Sequence, residues 1–269
     1  MTVQAPPLRR QQVDTGHRLS FVRAVRGEWI KLATLRSTWW SIGIAAILTI
    51  GIAVLIAQAI DMPGFEPIQA VVMPIQFTML LAGILGAISV TGEYSTGMIR
   101  STLAANPKRG SVLGAKAVVV GLFMFVSSLL IFAAAAVAVS AVVASRDQGI
   151  DWGDPSASIM PIVVSSLAMA VFALIGVAFG FVLRSGAGAI AATVGLLFVL
   201  PIVASFFAVA GEAWAWVMDA ANYLPVAAAQ SAILPEGAAL EGQAAYLTLA
   251  GWVAAGMLAA WAVLRTRDA

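Results

Sequence analysis

Six times along its length this sequence runs apolar for 18 residues or more with no cluster of charge to interrupt it. About 20 residues of helix cross the hydrocarbon core of a bilayer, so runs of this length predict membrane spans. They fall at about 39–60, 68–90, 111–144, 159–183, 186–210 and 244–264. The runs are continuously apolar and lack the alternating polar residues of a barrel strand. In lipid each must also close its own backbone hydrogen bonds, which a helix does. Composition points the same way: 61% of residues are hydrophobic and 10% are charged, where a soluble chain carries about 25% charged. The expected fold class is therefore an all-α membrane protein with six transmembrane helices, and a soluble enzyme is excluded.

An even number of spans returns both termini to one side, and basic residues say which side that is. The N-terminal arm carries Arg9, Arg10, Arg18, Arg23, Arg26, Lys31 and Arg36, and the loop after the second span carries Arg100, Lys108, Arg109 and Lys116. Arg184 follows the fourth span, and Arg265 and Arg267 close the chain. Only Arg146 among the 15 basic residues falls on the other face, whose loops hold Asp61, Glu66, Asp147, Asp151, Asp154, Glu212, Asp219, Glu236 and Glu241. Both termini are expected in the cytoplasm of a multi-pass protein of the cell's inner membrane.

Residues 1–18 are rich in Pro, Gln and Arg and read as a disordered basic tail, with anionic lipid headgroups as its partners. Along 19–38 the residues Leu19, Val22, Val25, Trp29, Leu32 and Ala33 recur at helical spacing, while Arg23, Glu28 and Lys31 fall elsewhere on the wheel. That pattern predicts either an amphipathic helix on the inner membrane surface with Trp29 at headgroup depth, or a plain basic flank to the first span. Arg26 and Arg36 lie near the apolar edge, where they would have to snorkel. The arm is too long and too polar for a signal peptide and is expected to stay in the mature chain.

Between the second and third runs, Tyr94, Met98 and Thr102, with Ile99 and Leu103 alongside, share one side of a short helix that Asn106 and Pro107 should end. A helix of mixed apolar and hydroxyl character at the membrane surface suits docking of a soluble partner. The alternative is a connector whose Arg100, Lys108 and Arg109 only enforce topology. The third run is longer than a span needs. Pro161 and Pro201 predict local breaks, and Gly176 and Gly180 allow close approach of helices in lipid. The segment 211–243 combines Trp214, Trp216, Met218, Tyr223, Leu224, Val226 and Ile233 with Asp219, Asn222, Pro225 and Pro235. It is too apolar for an ordinary loop and reads as a re-entrant or interfacial helical hairpin, or as a loop folded over the helix ends with its tryptophans in the aromatic belt.

Ionisable residues inside spans usually mark enzymes and ion-driven pumps, and the span interiors read as free of them. Glu93 lies at the end of the second run, placed to pair with Arg100 or with a basic residue of the arm. The lone His17 sits in the polar arm, which makes a zinc site or a Ser/His dyad in the membrane implausible. With no cysteine in the chain, disulfides and thiolate metal sites are excluded, and no metal site is expected. The nearest approach to a phosphate loop, Gly110 to Lys116, has the wrong spacing and no hydroxyl after the lysine. The small basic clusters are explained by topology, so no nucleic-acid partner is expected.

Two stretches carry a family resemblance. The first is Glu28-Trp29-Ile30-Lys31-Leu32-Ala33-Thr34-Leu35-Arg36-Ser37-Thr38-Trp39-Trp40, and the second is Gly92-Glu93-Tyr94-Ser95-Thr96-Gly97-Met98-Ile99-Arg100-Ser101-Thr102-Leu103, followed by Pro107, Arg109 and Lys116. Together they resemble the permease subunits of ABC-2 type transporters, in particular the compact six-span form familiar in actinobacteria. The first looks like that family's amphipathic connecting helix and the second like its coupling helix, with departures at Met98 and Ser95.

The resemblance implies a six-span ABC-2 type domain over 39–269 and a pore built from two permeases, either two copies or a copy with a sister subunit. It also implies a separate ATPase subunit that holds the ATP and Mg, this chain binding no cofactor of its own. Partner docking would involve Glu93, Tyr94, Thr96, Gly97, Met98, Arg100, Thr102 and Leu103, with Glu28, Trp29, Lys31 and Arg36 on the connecting helix. The external hairpin would be marked by Trp214, Trp216, Asp219, Tyr223 and Pro225. Exported substrates in such complexes are lipids, glycans, peptides, drugs or sometimes ions. Spans without charge favour an amphipathic or hydrophobic substrate passing between the two subunits near the second and fifth spans. The rival readings are a secondary transporter, which should show intramembrane carboxylates or a paired inverted repeat, and a membrane sensor or scaffold with no ATPase partner.

Overall fold

The computed structural model describes residues 20–60, 62, 65–146, 148–209 and 211–267. The basic tail over 1–18, with His17, and the acids Asp61 and Asp147 lie outside the described residues. Every regular element among the described residues is helical. Six helical stretches are long and apolar enough to cross a membrane: Arg36–Ala59, Pro67–Ser95, Arg109–Arg146, Ile159–Leu183, Gly186–Ala208 and Gly242–Thr266. They reproduce the six expected spans.

Helix α1 (Phe21–Thr34) lies before the first span and turns into α2 (Arg36–Ala59) through a single extended residue, Leu35. The elbow is fastened by the Trp39 indole, whose Nε1 donates to the Ala33 carbonyl at 2.9 Å. The second span is two pieces, α3 (Pro67–Val72) and α4 (Ile75–Ser95), separated at Met73 and Pro74. This break is absent from the sequence expectation. Pro74 has no N–H to return to the turn before it, so the ladder is interrupted there.

α5 (Met98–Ala105) follows, and α6 (Arg109–Val143) is 35 residues long, about 50 Å at the helical rise per residue. That exceeds a hydrocarbon core of ~30 Å, in line with the over-long third run.

α7 (Ile159–Leu183) is the axis of the molecule: 78% of its most apolar window is buried, against 17% for α12 (Gly242–Thr266). No break occurs at Pro161. It sits in the first turn of α7, where its missing N–H would have had no intrahelical partner. α4 lies against α7 with no side chain between the backbones at two glycines. A Cβ on Gly176 would fall on the Gly83 carbonyl, and one on Gly86 on the Ala173 carbonyl, while one on Gly180 would come within 2.7 Å of Val90 Cβ. The small-residue pair of the fourth span therefore packs helices within the subunit.

The fifth span is α8 (Gly186–Val194), a wide π turn at Gly195–Val199 and α9 (Leu200–Ser205). Here the break expected at Pro201 does occur. The proline withholds a donor, and the ladder accommodates by a wider turn in which Leu200 N–H donates to the Gly195 carbonyl. Beyond it come α10 (Ala215–Ala221) and α11 (Pro225–Ile233), which form two short helices joined at Asn222 to Leu224. α11 is buried against α7 and α12, and α10 lies at the surface.

Large apolar side chains stand exposed along the spans, including Trp40, Ile47, Leu55, Leu247 and Leu258. A surface of this kind is stable in lipid or against another protein and not in water.

Candidate functional site

One end of the molecule gathers the start of α2, the ends of α4, α7 and α12 and the start of α6, and it carries nearly all the described basic residues. At its centre, four ionised side chains from three helices meet below the surface. Glu28 and Lys31 come from α1, Glu93 from α4 and Lys116 from α6. Lys116 Nζ donates to Glu93 Oε1 at 2.6 Å and contacts Glu28 Oε2 at 2.6 Å. Lys31 Nζ donates to Glu28 Oε1 at 2.7 Å and to Glu93 Oε1 at 3.1 Å. The set is electrically neutral and closes into a ring.

Neighbours fill the remaining positions. Lys116 also donates to the Ser89 carbonyl at 3.0 Å, the Thr102 hydroxyl of α5 donates to Glu93 Oε2 at 3.4 Å, and Lys31 reaches Thr102 Oγ1 at 3.3 Å. Glu28, Glu93 and Lys116 are 6%, 3% and 3% exposed. Charges buried this deeply are tolerable only because each carboxylate and each ammonium has its partners in place. Burial works against the charge on Lys31, but the hydrogen bond and field of Glu28, and then of Glu93, outweigh it and raise its pKa above the usual lysine value.

Glu93 pairs with Lys31, a basic residue of the arm as one of the two expected alternatives had it, and also with Lys116, not with Arg100. Two sequence expectations are corrected here. The spans are not free of ionisable groups, since Lys116 is buried on the long apolar helix α6. Glu28, expected away from the apolar face of the arm, is turned inward with Leu32, while Val22 is 72% exposed. Glu28 and Leu32 share the buried side of α1, and there the Glu28 carboxylate meets Lys116 of α6. Trp29 lies edge-to-face against Phe123 at 6.1 Å, shared with Trp39 at 6.2 Å, and Arg36 is exposed at the start of α2.

Tyr94, Met98 and Thr102 do not share one helix face. α4 runs through Tyr94 to Ser95, Thr96 caps its end by donating to the Gly92 carbonyl at 2.8 Å, and Gly97 at φ 71° breaks the chain. The left-handed backbone at this point favours glycine. α5 then runs from Met98 and stops at Asn106, before Pro107, as expected. Ile99 is buried and Leu103 is half-buried against the core, while Met98 and Arg100 are exposed. Thr102 alone of α5 reaches the ring.

A second polar group closes the same end. Arg109 donates to the carbonyls of Leu264 and Arg267, and Arg184 to those of Val263 and Arg267. Two guanidinium groups thus sit on carbonyls at the end of α12, where positive charge is favoured. Arg184 also lies 5.3 Å from the centre of the Tyr94 ring, which stands edge-on to Phe181 at 6.5 Å.

A cavity of about 430 Å³ opens beside the ring, lined by the apolar Leu32, Leu85, Ile88 and Val120 and by all four ring residues. At the far end of the molecule, Trp214 packs on Phe207 at 4.9 Å and on Trp216 at 6.4 Å. Trp214, Trp216, Asp219 and Tyr223 are exposed, and Pro225 is buried as the first residue of α11. The turn at Tyr223 is pinned to α12 by Trp252, whose Nε1 donates to its carbonyl at 2.8 Å.

Sequence reasoning singled out Glu28, Lys31, Thr102 and Glu93 but missed that they form one unit, and it left Lys116 among the loop residues. The available signal was a single lysine near the start of a run that is otherwise apolar, together with the Glu28 and Lys31 spacing of three. No family model matches the chain, and no curated protein matches it significantly.

Proposed function

We propose that this chain is the membrane-spanning permease subunit of an ATP-driven exporter of the ABC-2 type, working with a separate ATPase that docks on α5 and α1. The observation that carries the reading is the buried ring of Glu28, Lys31, Glu93 and Lys116. Through it and Thr102, the two surface helices are tied directly to the spans α4 and α6, so a force applied to α5 or α1 by a soluble partner reaches the membrane part through short, desolvated contacts. Met98 and Arg100 remain exposed on α5 for the partner itself. ATP and Mg belong to the partner subunit, and a second permease copy or a sister subunit completes the pathway against the exposed apolar faces. The substrate is amphipathic or hydrophobic. In this reading the basic end faces the cytoplasm, α5 is the coupling helix, α1 the connecting helix, and α10 and α11 form the external hairpin.

Reconstitution with the ATPase tests it. Met98→Asp with Arg100→Asp should abolish permease-dependent ATP hydrolysis and leave thermal stability unchanged; full activity in that variant would remove the docking assignment.

A further inference from the structure

At the acidic end of the molecule a cavity of about 370 Å³ lies between the elbow that separates α3 from α4 and the helix α11. Its wall is apolar at Val72 and Ile233, and five polar side chains line it: Gln76, Asn222, Gln230, Ser231 and Glu236. Among the described residues, none of these five side chains has a hydrogen-bond or ion-pair partner. Apolar walls with a few polar groups of unused capacity are the usual make-up of a small-molecule site.

Charge selects the ligand. Around this end the described acids are Glu66, Asp151, Asp154, Glu212, Asp219, Glu236 and Glu241, with Arg146 as the sole described base. That guanidinium is committed to the carbonyls of Ala57, Gln58 and Ile60, which end α2. Nothing here balances Glu236 against an anion, and the summed field favours positive charge.

We infer that this cavity binds an organic monocation with an apolar body, its charge against Glu236, its hydrogen-bonding groups on the amides of Gln76, Asn222 and Gln230, and its body on Val72 and Ile233. The inference deepens the exporter reading by naming a substrate class at the exit side, and it rests on that reading for its biological role.

The test needs no ATPase, so its failure and the failure of the docking proposal are separable. Purified full-length protein in detergent micelles is titrated with radiolabelled tetraphenylphosphonium, and separately with tetraphenylborate, which has the same shape and the opposite charge. Saturable binding of the cation alone is expected. Glu236→Gln should weaken it about fivefold, the worth of a partly exposed charge pair, and Glu241→Gln, outside the cavity, should leave it unchanged. Absence of cation binding, equal binding of both ions, wild-type affinity in Glu236→Gln, or an equal loss in Glu241→Gln would each overturn the assignment.

Discussion

Lys116 Nζ lies 2.6 Å from Glu93 Oε1, with both side chains 4% exposed, so that the long apolar helix α6 and the end of α4 are joined by a buried ion pair. Removing one partner from such a pair leaves the other charged and buried. Lys116→Met should therefore destabilise the protein by about 3–5 kcal/mol. Adding Glu93→Leu restores neutrality, because Glu28 and Lys31 still pair, and should recover most of the loss. Thermal unfolding in detergent measures both. A double variant no more stable than the single one would contradict the ring as described.

The glycine contact between α4 and α7 predicts a sharp positional contrast. Gly86→Ala and Gly176→Ala drive a methyl into a facing backbone carbonyl and should each cost at least 1–3 kcal/mol, roughly the range for overpacked cores. Gly51→Ala, with open space around it, should be neutral or gain up to ~1 kcal/mol from helix propensity. The midpoint of thermal unfolding in micelles separates the two cases.

Lys31 gives the pH dependence. Its pKa is raised on folding, so its contribution is complete below the unfolded lysine value of about 10.4 and is lost as pH rises through the higher folded value. Across that range stability should fall less steeply in Lys31→Met than in the wild type. Unfolding midpoints from pH 9 upward, on the order of one pH unit apart, check this. Parallel curves for the two proteins would show that Lys31 carries no charge-dependent stability.

Because the chain has no cysteine, single cysteines report sidedness cleanly. Ser101→Cys on α5 should be protected from a membrane-impermeant maleimide in intact cells, and Ala238→Cys, at the opposite end, should react. The reverse pattern would invert the orientation that the basic residues predict.

The spans were legible because length and continuous apolarity are local properties of the chain. The break at Pro201 was legible for the same reason, since a missing donor acts on its own helix. Pro161 misled because a proline is harmless in a first turn, and helix starts are set by what precedes them, here the turn at Asp154 to Ser158. The ring was only partly legible. Glu28 and Lys31 are neighbours in sequence, but Glu93 is 62 residues from Lys31, and only packing of α1 across α4 and α6 brings Lys116 to both acids. An arm read by its apolar stripe alone places Leu32 inward but leaves Glu28 outside and Val22 inside, because nothing within the arm announces the buried Lys116 that Glu28 meets.

The co-purification of an ATPase is the most direct test of the permease reading. The tagged chain, isolated in mild detergent and assayed for ATP hydrolysis, should bring with it a soluble ATPase whose activity depends on this chain and is lost with Met98→Asp and Arg100→Asp. A chain that purifies alone and supports no hydrolysis even when candidate ATPases are co-expressed would contradict the account.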